Sequence, residues 1–234
     1  PRDFIVAGDP KILEVAIQEK AGTKYTVVIV DSSAVSAQEI VEFIAKVRTE
    51  FSNVAACRPP YILSVIVPEP MRRHGGEGKD ISIQVSDDNP FPFDLSWGSS
   101  TFAHELFHLY QRYYSATDES WIKEGVATYY QFYGPLKAGY MTAEEFWNVM
   151  VKVEGARARK GAVLSKGEDS YFKGSLSTLA LDVKIRQDTE GKSSFDNVFR
   201  ILNRDFAQKY VSSSVLKLVI SSLTICNYND FFEK

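Results

Sequence analysis

Residues 101–110 read TFAHELFHLY, and their spacing predicts a helix that carries two imidazoles on one face. His104 and His108 stand four residues apart, the separation that sets side chains one above the other along a helix. Two imidazoles so placed can grip one metal ion. Glu105, next to the first, projects beside the same point, where it can hold and deprotonate a water. The plain alternative is a pair of ordinary structural histidines. The chain has only 3 histidines, however, and two of them fall in this one pattern with the glutamate between them. Phe102, Leu106, Leu109 and Tyr113 form an apolar stripe expected to pack opposite the imidazoles, and Ser99 and Ser100 are N-cap candidates.

A catalytic zinc takes three protein ligands and keeps a fourth position open. The next helical stretch, WIKEGVATYY, supplies Glu124 one turn from its start. The intervening chain is long enough to finish one helix, turn, and bring a second helix back. Asp118 and Glu119 compete for the role, each with helix capping as its bland reading. Glu124 is preferred because a ligand on a packed helix is held more rigidly than one on a loop. Thr128, one turn further on, is a candidate hydrogen-bond partner for a ligand histidine.

Outward from this stretch the chain changes character. In the first 98 residues, 4–7, 25–30 (YTVVIV), 61–67 (YILSVIV) and 81–85 (ISIQV) read as strands, with a glycine turn at Gly75, Gly76 and Gly78. One amphipathic helix, SAQEIVEFIAKVRTEF, lies among them, with Ile40, Val41, Ile44, Val47 and Phe51 at helical spacing. From residue 99 the signals are helical. Helices are expected over 121–132, ended by Gly134-Pro135, and over EEFWNVMVKVEGARARK, opened by a Thr142/Glu145 capping box. Another runs from about Ser170 to Gln187, with Leu176, Leu179, Ala180 and Val183 inward. Two more begin at Ser194 and at Ser213 or Ser214. The expectation is an α+β catalytic domain: an N-terminal mixed β lobe with one helix (1–98), an all-helical lobe (99–234), and the active site in the cleft.

With 234 residues, 44% of them hydrophobic, a sizeable core is available. A net charge of −3 offers no basic surplus for nucleic acid, so none is expected as a partner. No apolar run is long enough to span a bilayer. The opening Pro1-Arg2-Asp3 has neither an initiator methionine nor a signal-peptide layout, which points to a piece of a longer protein and leaves its compartment open. Cys57 and Cys226 lie far apart, outside any CxxC pattern, and read as two buried free thiols. Lys152, Arg157, Arg159 and Lys160 read as a solvated helix end.

HELFH followed by WIKEG resembles the glutamate-zincin peptidases, in which the glutamate of W-x-x-E-G is the third zinc ligand. Residues 171–174, YFKG, are similar to the Y-x-K-G segment of the leukotriene hydrolase and aminopeptidase superfamily. The run ALDVKIRQDTEGKSSFDNVFRIL and the terminal NDFFEK look closest to the glycyl aminopeptidase branch. The resemblance covers most of the chain and implies a thermolysin-like catalytic domain without the flanking domains of full-length relatives. It implies one Zn2+ on His104, His108 and Glu124, Glu105 as general base, Tyr171 as hydrogen-bond donor to the oxyanion, and a peptide substrate cut in aminopeptidase-like fashion. One departure stands out. Relatives that trim N-termini carry an amine-binding glutamate in a glycine-led strand before the zinc helix. Here HGGEGKDIS puts Gly78 at that place, with Glu77 one position away and His74 in the same loop. A peptidase-fold module without catalysis, serving partner or domain binding, is the alternative reading, and a zinc hydrolase acting on another substrate such as an epoxide is a third.

Overall fold

A computed structural model describes residues 12–20, 23–30, 37–57, 61–68, 75–77, 80–85, 97–154 and 169–232. The expected strand at 4–7, His74, Gly78, and the basic residues Arg157, Arg159 and Lys160 lie outside them. The chain divides into two compact units, residues 1–48 with 58–109, and residues 49–57 with 110–234.

In the first unit, five strands form one sheet: β1 (Ile12–Lys20), β2 (Thr23–Val30), β3 (Tyr61–Pro68), β4 (Gly75–Glu77) and β5 (Asp80–Val85). Their order is β1-β2-β3-β5-β4, parallel through β2, β3 and β5 and antiparallel at both ends. Strands 25–30 and 61–67 fall where their apolar runs put them, and 81–85 where its apolar/polar alternation does. β1 has no counterpart among the expected strands; it pairs antiparallel with β2 in regular register from Glu14 to Lys20, after a register shift between Ile12 and Glu14. The Gly75, Gly76 segment is not a turn but a three-residue edge strand, held by pairing with 80–82 of β5.

Helix α1 (Ala37–Ala55) connects the parallel β2 and β3, as a crossover must. Ile40, Val41, Phe43, Ile44, Val47 and Phe51 are all at most 1% exposed. Arg48 is buried too; it donates to the Thr23 hydroxyl and its guanidinium lies 5.7 Å from the Tyr25 ring centre. Phe43 meets Phe102 of helix α2 (Trp97–His108) edge to face at 6.4 Å. Helix α2 in turn lies against β4 and β5.

The second unit is built round α3 (Trp121–Lys137), most of whose residues are buried. It pairs with α5 (Asp169–Asp188). Between them come α4 (Ala143–Asn148) and a π-helical turn, Val149–Glu154; after α5 follow α6 (Phe195–Asp205), β7 (Tyr210–Val211), α7 (Ser213–Leu223) and α8 (Asn229–Phe232), and β7 pairs in parallel with β6 (Tyr114–Ser115), which precedes α3.

Several expectations need correcting here. Gly134-Pro135 does not stop α3: Pro135 sits inside its last turn, and the helix closes three residues later, where Ala138 donates to the Gly134 carbonyl and Gly139 takes φ +80°. The capping box at Thr142 and Glu145 is present, but its helix gives way to the π turn after Asn148. Of the four residues expected inward on α5, Leu176 and Leu179 are half-buried, whereas Ala180 is exposed and Val183 is 40% exposed. Ser170, Gly174, Ser175, Thr178, Leu181, Asp182 and Ile185 face inward instead. A face this rich in small polar residues carries little apolar signal. Cys57 and Cys226 are free, and half-buried rather than buried.

An aromatic column runs along α3. The Tyr129 and Tyr133 rings stack at 5.2 Å, and Tyr130 meets Phe51 and Phe199 at 6.3 and 5.7 Å. The Tyr129 hydroxyl donates to Asp182, and that of Tyr130 to Asp196. Asp182 also accepts from the Phe195 amide at the start of α6 and pairs with Arg186 at 2.8 Å. Burial first, and the neighbouring carboxylates second, push the hydroxyls of Tyr129 and Tyr130 well above the ordinary tyrosine value of 10; burial does the same to Tyr113. A proton held more tightly in the folded than in the unfolded chain stabilises the fold below pH 10 and ceases to do so as pH climbs toward the folded values. Titration above pH 10 is therefore expected to ionise these three tyrosines in one cooperative step, coincident with loss of far-UV circular dichroism. Gradual tyrosinate absorbance without loss of helix would contradict the packing described.

Candidate functional site

Residues 101–107 of helix α2 are buried on every side. Phe102, Ala103, Leu106 and Phe107 are fully covered, and His104 and Glu105 are only 5% and 9% exposed. The simple picture of one packed and one open face therefore needs correction. Leu109 is half-buried just past the helix end, and Tyr113 is buried but lies beyond α2 in the following segment. Ser99 and Ser100, read as N-cap candidates, lie inside the helix, which starts at Trp97. A site screened from water strengthens every electrostatic interaction made there.

His104 and His108 occupy the last two turns of α2. Their Nε2 atoms are 3.0 Å apart, and their rings meet nearly at right angles with centres 4.7 Å apart. Two nitrogens on one zinc at about 2.0–2.1 Å, with a tetrahedral angle between them, lie about 3.3 Å from each other. The imidazoles are thus already aimed at a single point. Glu124, in the first turn of α3, completes a group of three: each residue offers one ligand atom, and these atoms all lie within 4.8 Å of one another. Two nitrogens and one carboxylate oxygen are the donor set of a hydrolytic zinc site. The residues present fit the ion.

The rival acids are engaged elsewhere or turned out. Glu119 accepts from the Ser213 amide at 2.6 Å and so caps α7; Asp118 is exposed. Neither caps α3, whose N-cap is Ser120. Thr128 donates to the backbone carbonyl of Glu124 at 2.8 Å. Tyr171 stands in the first turn of α5, 38% exposed.

The chain leading from α2 to α3 is firmly anchored. Asn203 of α6, 2% exposed, accepts from the Arg112 amide and donates to the Tyr110 carbonyl. The Tyr113 hydroxyl reaches the Ile122 carbonyl, Gln111 the Lys123 carbonyl, and Ser52 bonds with the Tyr110 hydroxyl at 3.2 Å.

Two positions escaped the sequence reading as structural determinants. Gly125 and Gly174 bring the backbones of α3 and α5 into contact: a Cβ on Gly125 would fall 2.9 Å from the Ser170 carbonyl oxygen, and one on Gly174 would fall 2.7 Å from the Gly125 Cα. The available signal was a glycine inside each of two predicted helices, where it costs about 1 kcal/mol relative to alanine and calls for a packing reason.

No protein-family model matches the sequence, and no curated protein matches it. Solved structures do. An aminopeptidase N family protein from Idiomarina loihiensis superposes on 97% of this chain with a TM-score of 0.81 at 16% identity. An M1 zinc metallopeptidase from Deinococcus radiodurans superposes on 92% with a TM-score of 0.64, also at 16% identity. The chain has the fold of the M1 zinc metallopeptidases. It spans about half the length of these proteins, 46% of the first and 48% of the second. A variant of the Deinococcus enzyme has been solved with a Tyr-Ser-Ala substrate bound.

Proposed function

We propose that this chain is the catalytic part of a zinc peptidase, belonging to a longer protein with flanking domains. The observation that carries the reading is the convergence of His104, His108 and Glu124, with ligand atoms within 4.8 Å. The M1 fold supports it, as does the burial of Glu105 beside the histidines.

The two imidazoles and the Glu124 carboxylate would hold the ion. When bound, zinc supplies a Lewis acid at the scissile carbonyl and makes water acidic enough to deprotonate near neutral pH. Glu105 is the general base: a carboxylate oxygen takes the proton of the attacking water and later returns it to the leaving amine nitrogen. Tyr171, in the first turn of α5, donates a hydrogen bond from its hydroxyl to the oxygen that gains charge as the carbonyl becomes tetrahedral. Glu124 does no proton chemistry; Thr128, bonded to its carbonyl, tightens the turn that carries it.

The substrate is a peptide, attacked in aminopeptidase-like fashion. The test compares matched peptides with free and acetylated N-termini, with zinc and after chelation. Expected are cleavage of the free peptide in preference to the blocked one, loss on chelation, and recovery with added zinc. Cleavage of both peptides alike would make the chain an endopeptidase, as Gly78 in place of an amine-binding glutamate would permit. No cleavage despite stoichiometric zinc would overturn the proposal in favour of a binding module.

A further inference from the structure

Ser120 breaks a local rule. It holds the N-cap position of α3, yet its backbone is helical (φ −53°, ψ −22°) and its side chain caps nothing in its own helix. The hydroxyl instead meets that of Ser170, at the start of α5, at 2.6 Å. Ser170 is 1% exposed. One turn deeper the same two helices touch through Gly125 and Gly174, and a Cβ on Gly174 would fall 3.1 Å from the Trp121 Cβ and 3.2 Å from its carbonyl oxygen. The first turn of α3 is therefore fixed against the first turn of α5 at two levels, by a hydrogen bond and by backbone contact. Glu124 lies in that turn, between Trp121 and Gly125.

We infer that Ser120, Ser170, Gly125 and Gly174 are positioning residues for Glu124: the first turn of α5 sets the rotation and height of α3, and so where the Glu124 carboxylate falls relative to His104 and His108. The inference rests on the metal reading proposed above. Its consequence is action at a distance. A methyl group added at Gly174, on a different helix from any metal ligand, wedges the two backbones apart and carries the carboxylate off its place. Supporting contacts of this kind are worth on the order of 10–100-fold in metal affinity.

The test measures zinc affinity by competition with a chromophoric chelator for the wild type, Gly174→Ala, Glu124→Gln and the double variant, with circular dichroism as a check on folding. Gly174→Ala is expected to bind zinc at least about tenfold more weakly, and the double variant no more weakly than Glu124→Gln alone. A merely structural role would make the two losses multiply. Multiplying losses, or wild-type affinity in folded Gly174→Ala with Glu124→Gln weakened, overturns the positioning role while leaving the metal reading intact. Wild-type affinity in Glu124→Gln, or no zinc binding by the wild type, overturns both. Should Gly174→Ala not fold, Ser120→Ala carries the test: a several-fold loss restored by Ser120→Thr and absent in the Glu124→Gln background supports the inference, and unchanged affinity overturns it.

Discussion

Glu105→Gln is expected to keep its zinc and lose about 10²–10⁴-fold in kcat, the usual worth of a positioned general base. Glutamine has nearly the volume of glutamate, so the packing of a side chain only 9% exposed survives the change. The amide cannot accept the proton of the attacking water, so only that function is removed. His108→Ala behaves differently. It removes one of two nitrogens that converge at 3.0 Å and is expected to lose metal and turnover together. Metal content after gel filtration, set beside peptide hydrolysis of the same samples, separates the two outcomes. Undiminished turnover in zinc-loaded Glu105→Gln would sink the base assignment, and stoichiometric zinc in His108→Ala would sink the ligand set.

Tyr130→Ala is expected to be the most damaging single change away from the metal group. The ring is fully buried against Phe51, Tyr129 and Phe199, and truncating such an aromatic costs about 3–5 kcal/mol. It also strands Asp196, whose carboxylate accepts the Tyr130 hydroxyl at 2.6 Å. Tyr130→Phe isolates that second effect and should cost about 1–2 kcal/mol. Burial already raises the Asp196 carboxyl above its ordinary 3.8, and the Tyr130 hydrogen bond pulls it back down. Without the hydroxyl it rises further. A carboxyl raised on folding favours the fold below its ordinary value, and that benefit is lost as pH rises through the folded value. The Tyr130→Phe penalty should accordingly be greater at pH 7 than near pH 4. Urea midpoints at both values, at unchanged slope, measure it. A penalty independent of pH would mean that Asp196 does not depend on this bond.

What was legible in the sequence is what nearby residues determine together. β2 and β3 announce themselves through continuous apolar, largely β-branched runs, β5 through its apolar/polar alternation, α1 through its apolar stripe, and α4 through the Thr142 capping box. His104 and His108 share one helix, so four-residue spacing was enough to bring them together; Glu124 needed only the additional inference of a following helix. Features decided by distant partners stayed hidden. β4 is a strand because β5 pairs with it, since Gly75 and Gly76 have no strand preference of their own. The inward face of α5 is chosen by the backbone of α3, which admits Gly174 and Ser170 and turns Val183 outward. Glu119 reads as a cap for the helix it precedes, yet it caps α7, far along the chain. Ser120 stands at the N-cap position of α3, and nothing local reveals that its hydroxyl belongs to Ser170.

The glycine contact also bears on how such a chain can drift. The chain shares its fold with a protein to which it is only 16% identical. Gly125 and Gly174 leave each other no room for a methyl group, so neither can be exchanged alone unless the helix axes separate. In hereditary terms the two codons form a single locus split across the chain, and a lineage escapes it only by rebuilding the seam between two helices.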